Sequence, residues 1–279
     1  MRAAGHDGPG VRKGVASLGM YDHPAQQSAN DRLWTEMARH LVAHGIAAPA
    51  ALDRSRAVEA IWRDPHLLFG QTCGYPLVSD PGLALRVIGI PVYEAPDCAD
   101  GRHVSHIVTR RDDREVDLAA YRGRRAAINA RHSNTGHNLL RAAVAPLAKD
   151  GRFFDAVVET GSHRASIDAV NCGEADVAAI DAVTHAALHR FEPDAIAELR
   201  VLSVTAGSAA PPFVTARSTS VETVAALRSA LAAVIADPAL ADARRALFLA
   251  DVIPGGAERF AQLRALEIEA IAAGYPLLQ

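Results

Sequence analysis

Residues 125–190 alternate between apolar, strand-like runs and helical segments, and this alternation constrains the fold more than any other feature of the sequence. Strands are predicted at residues 125–129, 154–160 and 175–181, and helices at residues 139–149, 164–171 and from residue 184 onward. Such alternation is typical of a mostly parallel sheet with helices on its faces. Open sheets of this kind bind ligands outside the carboxyl ends of their strands. The loops that follow these strands are therefore the first candidates for function.

The remaining elements predict a two-lobed α/β protein. Further strands are predicted at residues 14–20, 67–71, 83–93, 103–109, 199–204 and 213–216, and the tail at residues 221–274 is predicted to be nearly all helix. The chain thus enters a middle lobe and later returns to the first one. We expect lobe 1 at residues 15–107 plus 206–279 and lobe 2 at residues 108–205, joined by a two-strand hinge. Residues 1–14 are expected to form a flexible arm.

Charge and motif content exclude several classes of protein. The formal net charge is −3 and no long run of Lys or Arg is present, so no nucleic-acid surface is expected. The sequence contains no stretch of about 18 apolar residues, so no membrane-spanning helix is predicted. The sequence contains no P-loop, dinucleotide glycine fingerprint, nucleophile elbow or metal-ligand spacing, so no cofactor, metal or catalytic residue is predicted. A small anion remains compatible, because backbone N–H groups bind anions without net positive charge.

The N-terminus and the cysteines bear on the cellular compartment. Residues 1–14 are polar and Gly-rich and lack an apolar signal-peptide core, so the sequence predicts no export signal. The three cysteines leave two alternatives open. Either all three are small buried hydrophobic residues, or Cys73 and Cys98 form a disulfide and Cys172 is free.

Three polar loops follow strands of the middle lobe. The first places Ser133, Asn134 and Thr135 directly before a helix, where hydroxyls, an amide and free backbone N–H groups can attract an anion. The second brings His163 to the start of the next helix. The third is Asp181, whose carboxylate would favour a monoprotonated oxyanion or a ligand ammonium group. For each loop the alternative is an ordinary helix cap without a ligand.

Several segments resemble the phosphonate-binding, PhnD-like family of periplasmic solute-binding proteins of ABC transporters. The signature-like segments are residues 161–166, 169–170 and 173–181, with a Ser/Thr-rich phosphonate loop at residues 133–138. Supporting similarity lies at residues 17–22, 30–34, 71–76 and 273–275. The loop carries Asn134 where that family usually has a hydroxyl, which leaves the donor number and the ligand open.

The resemblance implies a type II periplasmic-binding-protein fold, whose two lobes close around a phosphonate-like oxyanion for uptake, in association with an ABC permease. It implies ligand contacts from the residues of the three loops and from two tyrosines of the first lobe, namely Tyr21, Tyr75, Ser133, Asn134, Thr135, His163 and Asp181. It also implies a periplasmic location, with the cytoplasm as the alternative since no signal is predicted. Two other functions stay open: a cytosolic ligand sensor, and an enzyme that uses His137, His163 and Asp181 for acid–base chemistry.

Overall fold

The computed structural model describes residues 14–279, so the arm predicted at residues 1–14 lies outside the described residues except for Gly14. The strands are β1 Val15–Ser17, β2 Leu67–Gln71, β3 Leu85–Tyr93, β4 Arg102–His103, β5 Ser105–Arg110, β6 Arg125–Ile128, β7 Ala156–Glu159, β8 Val177–Asp181, β9 Leu199–Val204, β10 Ser208–Ala209, β11 Phe213–Ala216 and β12 Leu249–Ile253. The helices are α1 Gln27–Ala43, α2 Val58–Trp62, α3 Pro76–Ser79, α4 Leu139–Val144, α5 His163–Asn171, α6 Ala182–Phe191, α7 Pro193–Ile196, α8 Val221–Ala236, α9 Ala241–Ala246 and α10 Ala261–Ala272.

The first sheet has the strand order β1-β2-β11-β3-β12. Strands β1 and β2 run parallel, whereas β11 runs antiparallel to both β2 and β3. Every residue of β2 is buried, as expected for a central strand that reads as a continuous apolar run. Trp34 of α1 stacks on Phe69 of β2, and Phe69 stacks on Phe213 of β11. These rings anchor α1 and the returning strand to the same core.

The second sheet has the order β7-β6-β8-β5-β9. Its strands β7, β6 and β8 are parallel and alternate with α4 and α5, as the sequence pattern predicts. The sheet is nevertheless mixed, because β5 runs antiparallel to both β8 and β9. Strand β5 enters from the first half of the chain and therefore crosses this sheet in the opposite direction.

Two chain segments connect the sheets. One carries β4 and β5, and the other carries β9 and β10. The two segments pair with each other along their length, β5 with β9 and β4 with β10, both antiparallel. Between these pairs the backbone N–H of Thr205 donates to the carbonyl of Ser105 at 3.0 Å. This ladder is the two-strand hinge.

The C-terminal tail departs from the predicted run of helices. It contains β12, which pairs with the outer edge of β3, so the prediction of an almost wholly helical tail is wrong at Leu249–Ile253. The end of the chain then reaches the second half of the molecule. Ala270, Tyr275 and Leu278 are buried in one cluster with Phe153 and Phe154. The tail therefore contacts the cores of both sheets.

Within residues 14–279 no single helix is long and apolar enough to cross a membrane. The helical segments Val221–Ala236 and Pro238–Ala246 reach the required length and apolarity only together, across a bend of 73°.

Candidate functional site

A cleft of about 540 Å³ is lined by residues from both halves of the chain. The loops at the carboxyl ends of β6, β7 and β8 form one wall. The segment after β1, helix α2 and the loop after β2 supply the other. This is the position at which an open α/β sheet is expected to hold its ligand.

Asp181 lies in the cleft lining and joins the two walls. It ends β8 and caps α6, because its Oδ1 accepts hydrogen bonds from the backbone N–H groups of Val183 at 2.9 Å and Thr184 at 3.1 Å. Its Oδ2 accepts a hydrogen bond from the Tyr21 hydroxyl at 2.9 Å and lies 3.1 Å from Nδ1 of His103. Only 2% of Asp181 is exposed, so the three hydrogen bonds from Tyr21, Val183 and Thr184 replace the water that the carboxylate loses on folding.

The surroundings of Asp181 keep it charged. Burial by itself would raise the pKa of Asp181, but the adjacent imidazoles of His103 and His163 and the hydrogen bond from the backbone N–H of Thr184 lower it below its ordinary value. Burial, with the neighbouring Asp181 charge, raises the pKa of Tyr21 well above its usual range. At neutral pH the phenol of Tyr21 therefore stays protonated and donates a hydrogen bond to the ionised carboxylate of Asp181.

The first predicted loop forms a widened turn of π-helix, Asn134–Asn138, directly before α4. Ser133 caps it, since its Oγ accepts a hydrogen bond from the backbone N–H of Gly136 at 3.0 Å. Gly136 leaves room for the side chain of Asn129, because a Cβ there would lie 1.9 Å from Oδ1 of Asn129 and would displace it. That oxygen belongs to a residue of the cleft lining, is buried, and has no hydrogen-bond partner among the residues that the structure describes.

His163 begins α5, which Ser162 caps through the backbone N–H of Ala165 at 3.0 Å. Nε2 of His163 lies 3.2 Å from Oγ1 of Thr135, so the first and second loops meet. Burial lowers the pKa of His163, although the charge of Asp181 opposes the shift. At Nε2 the neutral imidazole can form one hydrogen bond, either with the hydroxyl of Thr135 or, as a donor, with a ligand oxygen.

The structure brings five of the seven predicted site residues into the cleft lining, namely Tyr21, Ser133, Thr135, His163 and Asp181. The other two point elsewhere. The amide of Asn134 donates to Oγ of Ser208 at 2.9 Å, and the hydroxyl of Tyr75 lies 3.4 Å from Nη2 of Arg141. Asn134 and Tyr75 are both buried outside the lining. They do not share the cleft lining with the other five predicted residues.

All three cysteines are free thiols in the structure, but only Cys73 is buried; Cys98 is half-buried and Cys172 is exposed, so the expectation of three buried residues is wrong for these two. Cys73 is buried in the cleft wall, where its Sγ accepts a hydrogen bond from the backbone N–H of Asn134 at 3.2 Å. Burial raises the pKa of the Cys73 thiol and raises that of Cys98 to about 12, so both stay protonated and unreactive.

Sequence reasoning missed His103 and Asn129. His103 is 1% exposed and lies on the hinge strand β4, away from the loops that follow strands. Nothing in the sequence around it marks it as a partner of Asp181. Asn129 follows β6 by one residue and was predicted as the last residue of that strand.

Two contacts between a carboxylate and a histidine connect the walls at the rim of the cleft. Glu59 of α2 lies 3.3 Å from His132 of the first loop. Glu192, at the end of α6, lies 2.8 Å from His23 and 3.1 Å from Nε of Arg164. These contacts cross from one half of the chain to the other and so link the two walls of the cleft.

Comparison with known families gives one match that covers more than half of the chain. The family described as "ABC transporter, phosphonate, periplasmic substrate-binding protein" matches residues 69–259. No curated protein sequence matches the chain.

Solved structures share the fold over nearly the whole chain. A binding protein component of an ABC phosphonate transporter (PA3383) from Pseudomonas aeruginosa has a TM-score of 0.74 at 14% identity, covering 94% of this chain and 87% of that one. PhnD1 from Prochlorococcus marinus, in complex with methylphosphonate, has a TM-score of 0.68 at 13% identity, covering 91% and 96%. XAC2383 from Xanthomonas citri, bound to ATP, has a TM-score of 0.69 at 15% identity, covering 93% and 96%. The predicted α/β, type II periplasmic-binding-protein fold is confirmed.

Proposed function

Because the chain belongs to the periplasmic substrate-binding family of phosphonate ABC transporters, we propose that it captures a phosphonate-like phosphorus oxyanion in the cleft and delivers it to an ABC permease. In this proposal the protein is periplasmic and binds its ligand without converting it. The fold shared with PhnD1, which was solved with methylphosphonate, supports this ligand class.

The observation that carries the proposal is the meeting of Tyr21 with Asp181 across the cleft, beside the Thr135–His163 contact. These groups come from four separate segments of the chain, and three of them lie at turns between a strand and a helix. Hydroxyl, imidazole and backbone N–H donors surround one buried carboxylate. Such a set can hold an oxyanion without a lysine or arginine in direct contact.

The charges favour an oxyanion that carries a proton. Arg164 is the one Lys or Arg side chain in the described cleft lining, and Glu192 already pairs with it. A fully ionised dianion would therefore meet the charge of Asp181 without compensation. A monoprotonated phosphonate can donate its P–OH to Asp181 while the hydroxyl of Tyr21 turns to a phosphonyl oxygen. Sulfate cannot make this exchange, because it carries no proton at neutral pH.

Closure around the ligand follows from the position of the hinge. Strands β4, β5, β9 and β10 join the two sheets beside the cleft, and the rim pairs Glu59–His132 and His23–Glu192 form only when the walls are close. We propose that the ligand adds contacts to both walls and so shifts the population toward this closed form.

The enzyme alternative requires His137 beside His163 and Asp181. His137 is buried outside the cleft lining, and burial lowers its pKa to about 4. The three residues do not form one acid–base group in this arrangement, which supports binding without turnover.

Calorimetry at pH 7 tests the proposal. We expect one binding site for a phosphorus oxyanion chosen from phosphate, phosphite and alkylphosphonates, with sulfate at least tenfold weaker. Equal affinity for sulfate would contradict the role of Asp181 as a proton acceptor. The absence of binding by every phosphorus oxyanion at millimolar concentration would refute the function itself.

A further inference from the structure

The widened turn that carries Thr135 is held by side chains that do not line the cleft. Its residues Asn134–Asn138 are all buried, and the backbone N–H of Asn138 closes the turn by donating to the carbonyl of Ser133 at 3.0 Å. Turns of this width are rare and frequently lie at functional sites. The cleft lining includes Ser133 and Thr135 but neither Asn134 nor Asn138, so the two asparagines act away from the cleft surface.

The two asparagines lie in a directional chain of buried hydrogen bonds. Nη2 of Arg141 donates to Oδ1 of Asn138 at 2.7 Å, and Nδ2 of Asn138 donates to Oδ1 of Asn134 at 3.3 Å. Nδ2 of Asn134 then donates to Oγ of Ser208 at 2.9 Å. A guanidinium can only donate, so it fixes which end of each amide faces which neighbour. All four residues are at most 3% exposed, so water does not compete for these bonds.

The chain of hydrogen bonds connects the hinge with the C-terminal helix. One end lies in β10 of the hinge, and the second N–H of the Asn138 amide donates to the main-chain carbonyl of Leu263 in α10 at 3.0 Å. The other hinge segment also holds the turn, because Oγ of Ser105 in β5 donates to the carbonyl of Thr135 at 2.7 Å. The backbone of Thr135 is therefore fixed on both sides, and its hydroxyl is left for the 3.2 Å contact with Nε2 of His163.

We propose that Asn134 and Asn138 are positioning residues of the oxyanion site in the cleft: they hold the widened turn between the hinge and α10, and so keep the hydroxyl of Thr135 in place without touching the ligand. This inference rests on the proposed function, because it takes Thr135 as a ligand contact. It also gives the hinge a direct route to the site, since the two serines that hold the turn lie on different hinge segments.

Asn138→Asp tests the inference with a small change of shape. Aspartate keeps an acceptor for Arg141 but loses the two hydrogen bonds that the amide donates to Leu263 and Asn134. Calorimetric titration with n-butylphosphonate at pH 7 should therefore show an affinity about tenfold weaker than that of the wild type.

Nitrogen-15 NMR of the ligand-free protein supplies a readout that a loss of stability alone would not move. The imidazole resonances of His163 can be identified by their absence from the spectrum of His163→Ala. They should shift in Asn138→Asp, because a displaced turn disturbs the contact between Thr135 and the imidazole.

Thr109→Val is the matched control. Oγ1 of Thr109 is buried in the same lobe, donates to the carbonyl of Asp176 at 3.1 Å and accepts from the hydroxyl of Tyr121 at 2.8 Å. This variant also loses two buried hydrogen bonds, but it should keep the affinity within about twofold and leave the imidazole resonances unchanged. Ser208→Ala serves if Asn138→Asp does not fold, since it removes only the acceptor at the hinge end; it should weaken binding about threefold and shift the same resonances.

The outcomes separate the inference from the function on which it rests. An unchanged affinity in folded Asn138→Asp overturns the inference, and so do His163 resonances that stay in place in that variant. An affinity that Thr109→Val lowers equally also overturns it, because the loss would then follow stability. If the wild-type protein binds neither n-butylphosphonate nor phosphate, the proposed function fails, and the resonance shift in the ligand-free protein still decides whether the asparagines position Thr135.

Discussion

Replacing Tyr21 by Phe removes one hydroxyl from the cleft lining and leaves the ring in place. The ring packs edge-to-face on Tyr93 at a centroid distance of 5.4 Å, and phenylalanine preserves that contact. The variant loses the hydroxyl that donates a 2.9 Å hydrogen bond to the ionised carboxylate of Asp181. In the bound form the same hydroxyl would donate to a ligand oxygen instead.

The expected loss follows from the charge of the acceptor. Hydrogen bonds to charged groups contribute about 1.5–3 kcal/mol, and a buried carboxylate that loses a donor is left less solvated. If the bond supports only the ligand-bound, closed form, this energy corresponds to an affinity about 10- to 150-fold weaker. Calorimetric titration with n-butylphosphonate at pH 7 measures the change.

Tyr93→Phe is the matched control. The Tyr93 hydroxyl is also buried, but it accepts a hydrogen bond from Nε2 of Gln71 at 2.7 Å and lies outside the cleft lining. Its removal should cost about 1 kcal/mol of unfolding free energy and leave the affinity within twofold of the wild type. If Tyr21→Phe also binds within twofold of the wild type, the Tyr21–Asp181 contact does not support the binding form and the reasoning is refuted.

Four further predictions concern the site and the stability of the fold. His163→Ala should weaken n-butylphosphonate binding at least tenfold in calorimetry while the far-ultraviolet circular dichroism stays unchanged, and an unaltered affinity would contradict the assignment of the second loop. Gly136→Ala should displace the side chain of Asn129, which lies 1.9 Å from the new Cβ, and reduce affinity about tenfold with little change in the urea midpoint; a wild-type affinity would show that the turn tolerates a side chain. Burial lowers the pKa values of His137 and His185 to about 4, so between the ordinary value near 6.5 and pH 4 the unfolded chain binds protons that the folded chain does not. The unfolding free energy should fall by up to about 1.4 kcal/mol per pH unit for each histidine as the pH decreases through that range. His137→Gln should remove the part of this pH dependence that His137 contributes. An unfolding free energy that urea titrations find to be independent of pH between about 6.5 and 4 would exclude the effect. Thiol titration of the denatured, unreduced protein should find three free cysteines, whereas a single thiol would show a disulfide.

The loops of the second sheet could be predicted because local chemistry determines them. Ser133, Ser162 and Asp181 each stand between a strand and a helix, and each caps the helical turn that follows it. Side chains that cap helices in this way are encoded within a few residues of sequence. Parallel strands then bring their loops to one edge of the sheet, so the meeting of Thr135 with His163 follows from the topology.

Other features depend on distant parts of the chain. Asn134 lies in the widened turn, and its side-chain amide donates a hydrogen bond to Oγ of Ser208 in the hinge. Spacing along the sequence does not reveal that partner. Strand β12 has only five residues between helical segments, and its pairing with β3 selects the extended form. His103 meets Asp181 because β4 leads into the strand next to β8, a contact visible only once the sheet is assembled.

A phosphorus-31 NMR titration of n-butylphosphonate with the wild-type protein and with His163→Ala tests capture at this cleft most directly. The proposed function predicts that the ligand resonance shifts or broadens to saturation at one equivalent of wild-type protein. It also predicts that the signal returns unchanged, without a product signal, when the protein is denatured, and that the variant requires far more protein for the same change. A resonance unaffected by the wild-type protein, or a new phosphorus signal that grows with time, would contradict it.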